Sequence, residues 1–306
     1  MSSEKVIQIK GHKIELSHLD KVLFPKSEIT KEELVNYYNN INSIVLPLYK
    51  NRPLTMERCP DGIDKQNFIQ KDAPSYFPPW IDRYELKKEK GTIKQVLVNN
   101  AATLVYLANQ ACITFHLALS KVDKIHYPSY LIFDLDPSIE DIMLLKKVVK
   151  YVKELIDLLE LKGFIKTTGS RGFHIYISLK REHTFEKVHD FAKVFATYLA
   201  KKYPQEITIE QSKARREKRV LIDYARNSYG LSAVAPYSIR AIEGAPIATP
   251  LDWEELKDKD LNSQSYNIKN IYDRLKTKKD PWKEMETYHF SLDSAQSKLT
   301  ELMDKS

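Results

Sequence analysis

Tyr130-Leu131-Ile132-Phe133-Asp134-Leu135-Asp136-Pro137-Ser138 decides how this chain is read. An apolar run ends in two carboxylates one residue apart. Side chains alternate between the faces of a strand, so Asp134 and Asp136 share one face while Phe133 and Leu135 take the other. Pro137 has no N–H to give a sheet ladder and marks the strand's end. Ser138 is then expected as a helix N-cap, with Glu140 and Asp141 in the first turn. Two bare carboxylates repel each other unless a cation lies between them. A pair of divalent ions about 3.5–4 Å apart is the usual arrangement for phosphoryl and nucleotidyl transfer. For Asp-x-Asp alone a solvated edge strand running into a turn is the favoured reading, so its surroundings must decide.

Downstream, a long amphipathic helix is expected to about Glu160, closed by Gly163 as a C′ glycine. Residues 164–177 then run strand, Gly-rich turn, strand, with Phe173, Ile175 and Ile177 on one face and His174 and Tyr176 on the other. The turn Thr168-Gly169-Ser170-Arg171-Gly172 offers backbone N–H groups, a hydroxyl and a guanidinium to an anion. Residues 184–203 repeat a helical pattern that Pro204 ends. The basic run Lys213–Arg219 reads as a solvated loop by default. Here it leads into Val220-Leu221-Ile222-Asp223, a strand carrying a third acid.

Upstream, residues 5–16 read as a hairpin turning near Gly11. Thr30 and Glu33 form a capping box for a helix carrying Leu34, Tyr37, Tyr38 and Ile41. Lys21 and Lys31 lie just before and at that helix's start, where unpaired N–H groups and amines together favour a phosphate; ordinary solvated lysines are the plainer alternative. Strands are expected around Pro60-Asp61-Gly62, with Phe68 either a base-stacking ring or a core residue. Asn100 caps a short apolar helix, and Cys112–Leu119 alternates, placing Thr114 and His116 on one face.

The chain has 306 residues, 42% hydrophobic and 29% charged, as for a globular protein with a real core. A net charge of +7 leans toward polyanions such as nucleic acid. Cys59 and Cys112 are the only cysteines and make no Cys-x-x-Cys, which argues against zinc and against a disulfide framework. The start carries no apolar signal region and no stretch is long enough to span a bilayer, so a cytoplasmic setting without membrane contact is the expectation.

Taken together, these motifs resemble the polymerase domain of bacterial DNA ligase D, within the archaeo-eukaryotic primase superfamily. The resemblance rests on Leu19-Asp-Lys-Val-Leu-Phe-Pro25, Pro60-Asp-Gly62, Phe133-Asp-Leu-Asp-Pro137, Thr168-Gly-Ser-Arg-Gly172 with His174, and Ile222-Asp-Tyr-Ala-Arg-Asn227. Ala233-Val-Ala-Pro-Tyr-Ser-Ile-Arg240, Thr249-Pro-Leu-Asp-Trp253 and Asp280-Pro-Trp282 complete it, in unbroken order over roughly residues 10–285.

The resemblance implies an α/β (α+β) fold with a mainly antiparallel, RNA-recognition-like catalytic sheet flanked by helices. The whole of 1–306 would be one primase-polymerase domain: an N-terminal module to about 110, a catalytic core over about 111–256, and a helical segment over about 257–306. It implies template-directed nucleotidyl transfer with two divalent ions, Mn2+ or Mg2+, using NTP or dNTP and favouring ribonucleotides. Asp134, Asp136 and Asp223 match the metal-binding carboxylates. His116, Thr168, Arg171, His174, Arg216 and Arg240 match positions lining the nucleotide, Lys21 and Lys31 a pair gripping a 5′-phosphate, and Phe68 an aromatic stacking on the template. The implied setting is the nucleoid, on gapped DNA or double-strand-break ends, with Ku and a ligase. His18 departs from a frequent Asn, Ile69 from a second aromatic, and Glu57 from a frequent Lys; Thr168 and Arg171 replace the commoner Ser and Lys. Met1 points to a stand-alone polymerase rather than an excised domain. A stand-alone primase and a non-catalytic module binding 5′-phosphorylated ends are the alternatives. A phosphohydrolase would need a water-activating base for which the sequence offers no strong candidate.

Overall fold

A computed structural model describes residues 4–88 and 91–305. The chain forms two compact units interleaved in sequence. The first comprises residues 1–123, 232–249 and 266–280; the second comprises 124–231, 250–265 and 281–306. Sheets and helices are mixed in both, with mainly antiparallel strand pairing, as expected for the α/β class. Among the described residues no helix is long and apolar enough to cross a membrane.

The second unit is built on a six-stranded sheet. Its spatial order is Ile207–Thr208, Val220–Asp223, Tyr130–Pro137, Phe173–Ser178, Gly163–Thr167, Pro250–Leu251. Only the first pair is parallel. Tyr130–Pro137 is therefore a central strand, not an edge. Phe133 and Leu135 are fully buried, and the Phe133 ring stacks on Phe195 of the helix Phe185–Lys202 with centroids 4.3 Å apart. That helix follows the expected pattern: Thr184 caps it, and Phe185, Val188, Phe191, Ala192 and Phe195 are all buried. The side of the sheet opposite Phe133 is left to the aspartates.

The helix after the aspartate strand spans Ile142–Leu158, and both of its ends differ from expectation. Asp141, not Ser138, is the N-cap; its Oδ1 accepts from the Leu144 amide at 2.8 Å. Ser138 instead donates to the Arg219 carbonyl at 2.6 Å, which draws it out of capping position. At the other end Glu160 takes the left-handed conformation (φ 55). The amides of Leu161 and Glu160 bond back to the carbonyls of Ile156 and Asp157, the paired bonds of a Schellman motif. Gly163 lies beyond, at the start of a strand. It is small because a Cβ there would crowd Ile156, Ile175 and Trp253, each at 3.2 Å.

The first unit carries a four-stranded antiparallel sheet ordered Ser232–Val234, Cys112–Ala118, Leu54–Arg58, Phe68–Gln70. The hairpin Lys5–Ile9/His12–Leu16 turns at Gly11 (φ 85), as read from the sequence. The Thr30/Glu33 capping box opens the helix Lys31–Asn40. Buried tyrosines tie this helix and the next, Asn42–Tyr49, to the unit: Tyr37 donates to the Tyr237 carbonyl at 2.7 Å, Tyr38 to Ile113 at 2.6 Å and Tyr49 to Pro236 at 2.8 Å. Each ring supplies apolar area while its hydroxyl finds a partner.

Candidate active site

The carboxylates converge through strand register. Asp134 lies opposite Asp223 on one flank and opposite His174 on the other. Asn227 fixes that alignment. Fully buried, it accepts from the Ile132 amide and donates to the Ile132 carbonyl, both at 2.8 Å, extending the ladder where the Val220–Asp223 strand has ended. Asp136, two residues on, shares the face of Asp134.

Three guanidinium groups answer the three carboxylates. Arg226 Nε is 3.3 Å from Asp134 Oδ2 and 3.4 Å from Asp223 Oδ2, bridging the pair. Asp136 is held by Arg216 Nη1 at 2.8 Å and Arg171 Nη2 at 3.1 Å. Arg216 is buried, and its remaining donors are committed to the carbonyls of Glu210 and Gln211. Arg171 is half-exposed. Gln211 and the Ala225 amide both donate to Asp223 Oδ1, at 3.3 and 3.0 Å.

His174 is almost completely buried, with Nε2 3.3 Å from Asp134 Oδ1. Burial first, then the charge of Lys166, pushes its pKa well below the ordinary histidine value, so the ring is neutral near pH 7. Burial alone would raise the Asp134 carboxyl, but contact with His174 and Arg226 and the charge of Lys166 outweigh it and hold Asp134 below the usual carboxylate range. Asp223 goes the other way: burial and the neighbouring Asp134 raise it. The two facing carboxylates thus repel each other, and Arg226 relieves that repulsion only in part at Asp223. With Asp136 on the same face, they are hard oxygen donors of the kind a divalent cation takes.

The Thr168–Gly172 turn is organised differently from the sequence expectation. Thr168 Oγ1 accepts from the Ser170 amide at 3.2 Å and the Gly172 amide at 3.1 Å, so those two N–H groups point inward rather than at a ligand. A Cβ on Gly172 would run into the Leu135 carbonyl oxygen, so this turn lies directly against the backbone between the two aspartates. Its outward donor is Arg171.

His116 and Arg240 belong to the first unit, where both relate to Glu57. His116 Nε2 is 3.9 Å from Glu57 Oε2. Burial works to raise the Glu57 carboxyl, but His116, Thr114 and Arg240 hold it below its ordinary value. The carboxylate that replaces a frequent lysine is thus an internal counter-ion.

Lys21 and Lys31 also sit near each other. Lys31 is almost buried; burial, then repulsion from Lys21, lowers its pKa to about 8. Lys21 Nζ is 2.6 Å from Asp61 Oδ1. The helix amides expected to be unpaired are engaged: Lys31 N with the Lys21 carbonyl at 2.8 Å, Glu32 N with Leu19 at 2.9 Å, Glu33 N with Thr30 Oγ1 at 3.3 Å. The preceding loop folds back over the helix start and consumes them. An anion here would be met by the ammonium groups rather than by these three amides. Phe68 is exposed on an edge strand, which removes its reading as a core residue.

Sequence reasoning missed Lys166 and Arg226 as parts of the charge cluster. Lys166 has a visible signal, a lysine inside the apolar run Phe164-Ile165-Lys166-Thr167, where a fully buried cation needs a reason. Glu182, His183 and Asp293 form a separate group whose ligand atoms lie within 4.8 Å of one another, also unforeseen.

The LigD primase-polymerase domain family matches residues 30–282. The bifunctional non-homologous end joining protein LigD of Bacillus subtilis is 29% identical over 266 residues, covering 86% of this chain and 43% of that protein. The multifunctional LigD of Pseudomonas aeruginosa is 30% identical over 274 residues, covering 88% of this chain and 32% of that protein. The chain therefore spans less than half the length of either relative. Among solved structures, the polymerase domain of Mycobacterium tuberculosis ligase D in complex with DNA superposes with a TM-score of 0.84 at 27% identity, covering 90% of this chain and 99% of that one. With three aspartates gathered on one face of a sheet of this kind, the chain belongs to the LigD primase-polymerase domain family and is a nucleotidyltransferase of the polymerase type.

Proposed function

We propose that this chain, acting over 1–306 as one primase-polymerase domain, fills gaps and extends ends at DNA double-strand breaks during non-homologous end joining. The observation that carries the reading is the meeting of Asp134, Asp136 and Asp223 on the same face of the central sheet, among guanidinium groups suited to phosphate. Relatives named for end joining, and a similar domain solved with DNA, support the setting. Ku and a DNA ligase are the proposed partners, in the nucleoid of the cytoplasm.

Asp134, Asp136 and Asp223 would hold two divalent ions, manganese in preference to magnesium. When bound, such ions would supply Lewis acidity toward the primer 3′-hydroxyl and the triphosphate. The remaining work falls to side chains. His174 keeps Asp134 oriented by donating from Nε2. Arg216, tied at both ends, holds Asp136 in place. Arg171, half-exposed, trades Asp136 for the incoming triphosphate, while Thr168 keeps its turn in shape. His116 and Arg240 contribute to nucleotide binding, with ribonucleotides favoured. Lys21 and Lys31 grip a downstream 5′-phosphate, and Phe68 stacks on the template.

Primer extension on gapped duplex, with and without a downstream 5′-phosphate, tests the reading. Templated addition stimulated by the phosphate is expected. Templated addition indifferent to the phosphate, with synthesis on unprimed single strands, would move the assignment to a stand-alone primase. Phosphate-dependent binding without addition would leave an end-binding module.

A further inference from the structure

Exposed aromatic rings are scarce on this chain, and two of them share a buried cation. Phe68 is 40% exposed and Tyr76 61% exposed, within nine residues of sequence. Arg58, only 7% exposed, lies between them. Its guanidinium carbon sits 5.4 Å from the centroid of the Phe68 ring, and its Nη1 donates to the Tyr76 hydroxyl at 3.0 Å. Arg58 is itself anchored, Nε to the Gln110 carbonyl at 3.0 Å and Nη1 to Gln70 Oε1 at 2.9 Å. Behind Tyr76 the buried Phe77 makes an edge contact with centroids 5.2 Å apart, and the Arg58 guanidinium lies 5.9 Å from the Phe77 ring as well. Tyr76 is therefore held from its hydroxyl and from its edge while most of the ring stays in solvent.

Strand register settles which residue can extend the Phe68 surface. Phe68 pairs with Arg58, and Ile69 pairs with Glu57. Alternation puts Ile69 on the opposite face from Phe68, so an aromatic at 69 would not continue the Phe68 ring's own surface. Tyr76 is joined to Phe68 instead, through the shared arginine.

We propose that Tyr76 is a second base-stacking residue, forming with Phe68 a two-ring platform, keyed by Arg58, for unpaired nucleobases of the template strand. The proposal rests on the reading that Phe68 stacks on template. An exposed, flat, rigid ring beside a cation suits a nucleobase better than an aliphatic protein surface. Bases present π-faces of any sequence, and a guanidinium under the neighbouring ring adds cation–π attraction. The hydroxyl bond to Arg58 and the contact with Phe77 restrict the Tyr76 ring before binding, which lowers the side-chain entropy lost on contact.

The test places 2-aminopurine at the unpaired template position of a gapped duplex and follows its quenching, with affinity titrated at fixed salt. Tyr76→Ala should weaken binding about tenfold and restore much of the fluorescence, an effect of the size one base–ring stack supplies. Tyr76→Phe, which keeps the ring but loses the hydroxyl bond to Arg58, should weaken binding less than Tyr76→Ala and keep most of the quenching. A fully paired duplex should bind Tyr76→Ala and parent alike. If Phe68→Ala loses quenching while Tyr76→Ala does not, Tyr76 is outside the platform and Phe68 stands alone. If Phe68→Ala also binds as the parent does, the template-stacking reading itself fails. Equal weakening on paired and gapped DNA would overturn the proposal in favour of a backbone contact. Because Tyr76 is so exposed, thermal melting of Tyr76→Ala should match the parent.

Discussion

Asp134 and Asp223 stand directly opposite each other on adjacent antiparallel strands, and one guanidinium, that of Arg226, reaches an oxygen of each. Like charges at such a cross-strand position cost stability unless a cation relieves them. Replacing Asp134 or Asp136 with Ala should therefore abolish templated addition, by at least about a hundredfold, while gapped-DNA affinity stays within about threefold of the parent, since phosphate contacts dominate affinity. Paired extension and titration measurements check this; parallel loss of both would merge the two roles.

Manganese should support faster addition than magnesium, because it accepts less regular ligand geometry than the strictly octahedral ion. Ribonucleotides should be incorporated more efficiently than deoxynucleotides, as a site using the 2′-hydroxyl loses contacts when it is missing. Side-by-side single-nucleotide incorporation with each metal measures both, and a marked advantage for dNTPs would refute the sugar preference.

Preference for a 5′-phosphate should be lost as pH rises through about 8. The sign follows from Lys31, whose pKa burial and Lys21 lower to about 8. Below that pH the ammonium is present to meet the phosphate; above it, binding must take up a proton and weakens. Lys21→Ala with Lys31→Ala should erase the preference and its pH dependence while sparing extension of a simple primer–template. A preference that persists unchanged from pH 7 to 9.5 would rule out Lys31 as the titrating partner.

Asn227→Ala should cost about 2–4 kcal/mol in denaturant unfolding, because it strands a buried amide and carbonyl on Ile132. Addition should fall as well, since the ladder that aligns Asp134 frays two residues away. Unchanged stability would mean that the strand holds its register without this bond.

Much of the second unit was legible in the sequence because its periodicities are strong: the alternation of Phe133, Asp134, Leu135 and Asp136, and the helical spacing of Phe185 to Phe195. Helix ends were less legible. Ser138 and Asp141 are both good caps, and only the pull of the Arg219 carbonyl on Ser138 decides between them. Glu160 took the left-handed position that a glycine three residues on had suggested for itself. The charge cluster was half legible. Acidic residues on strand ends announce themselves, but Lys166 and Arg226 matter through cross-strand neighbours, and register is not written in any local pattern. The same holds for Thr168 turning two amides inward, and for Glu57 facing His116.

Gly172 has an outcome beyond tight packing. Because its Cα rests against the carbonyl of Leu135, the turn bearing Arg171 and the strand bearing the two aspartates behave as a single solid piece. The reach from guanidinium to carboxylate is gauged by touching backbones as well as by the two side chains themselves. Directed evolution of this polymerase would therefore find freedom at Arg171 itself and almost none one residue later. A change at the triphosphate contact proposed for Arg171 would have to come from the length and charge of that side chain, because Gly172 keeps its loop against the Leu135 carbonyl.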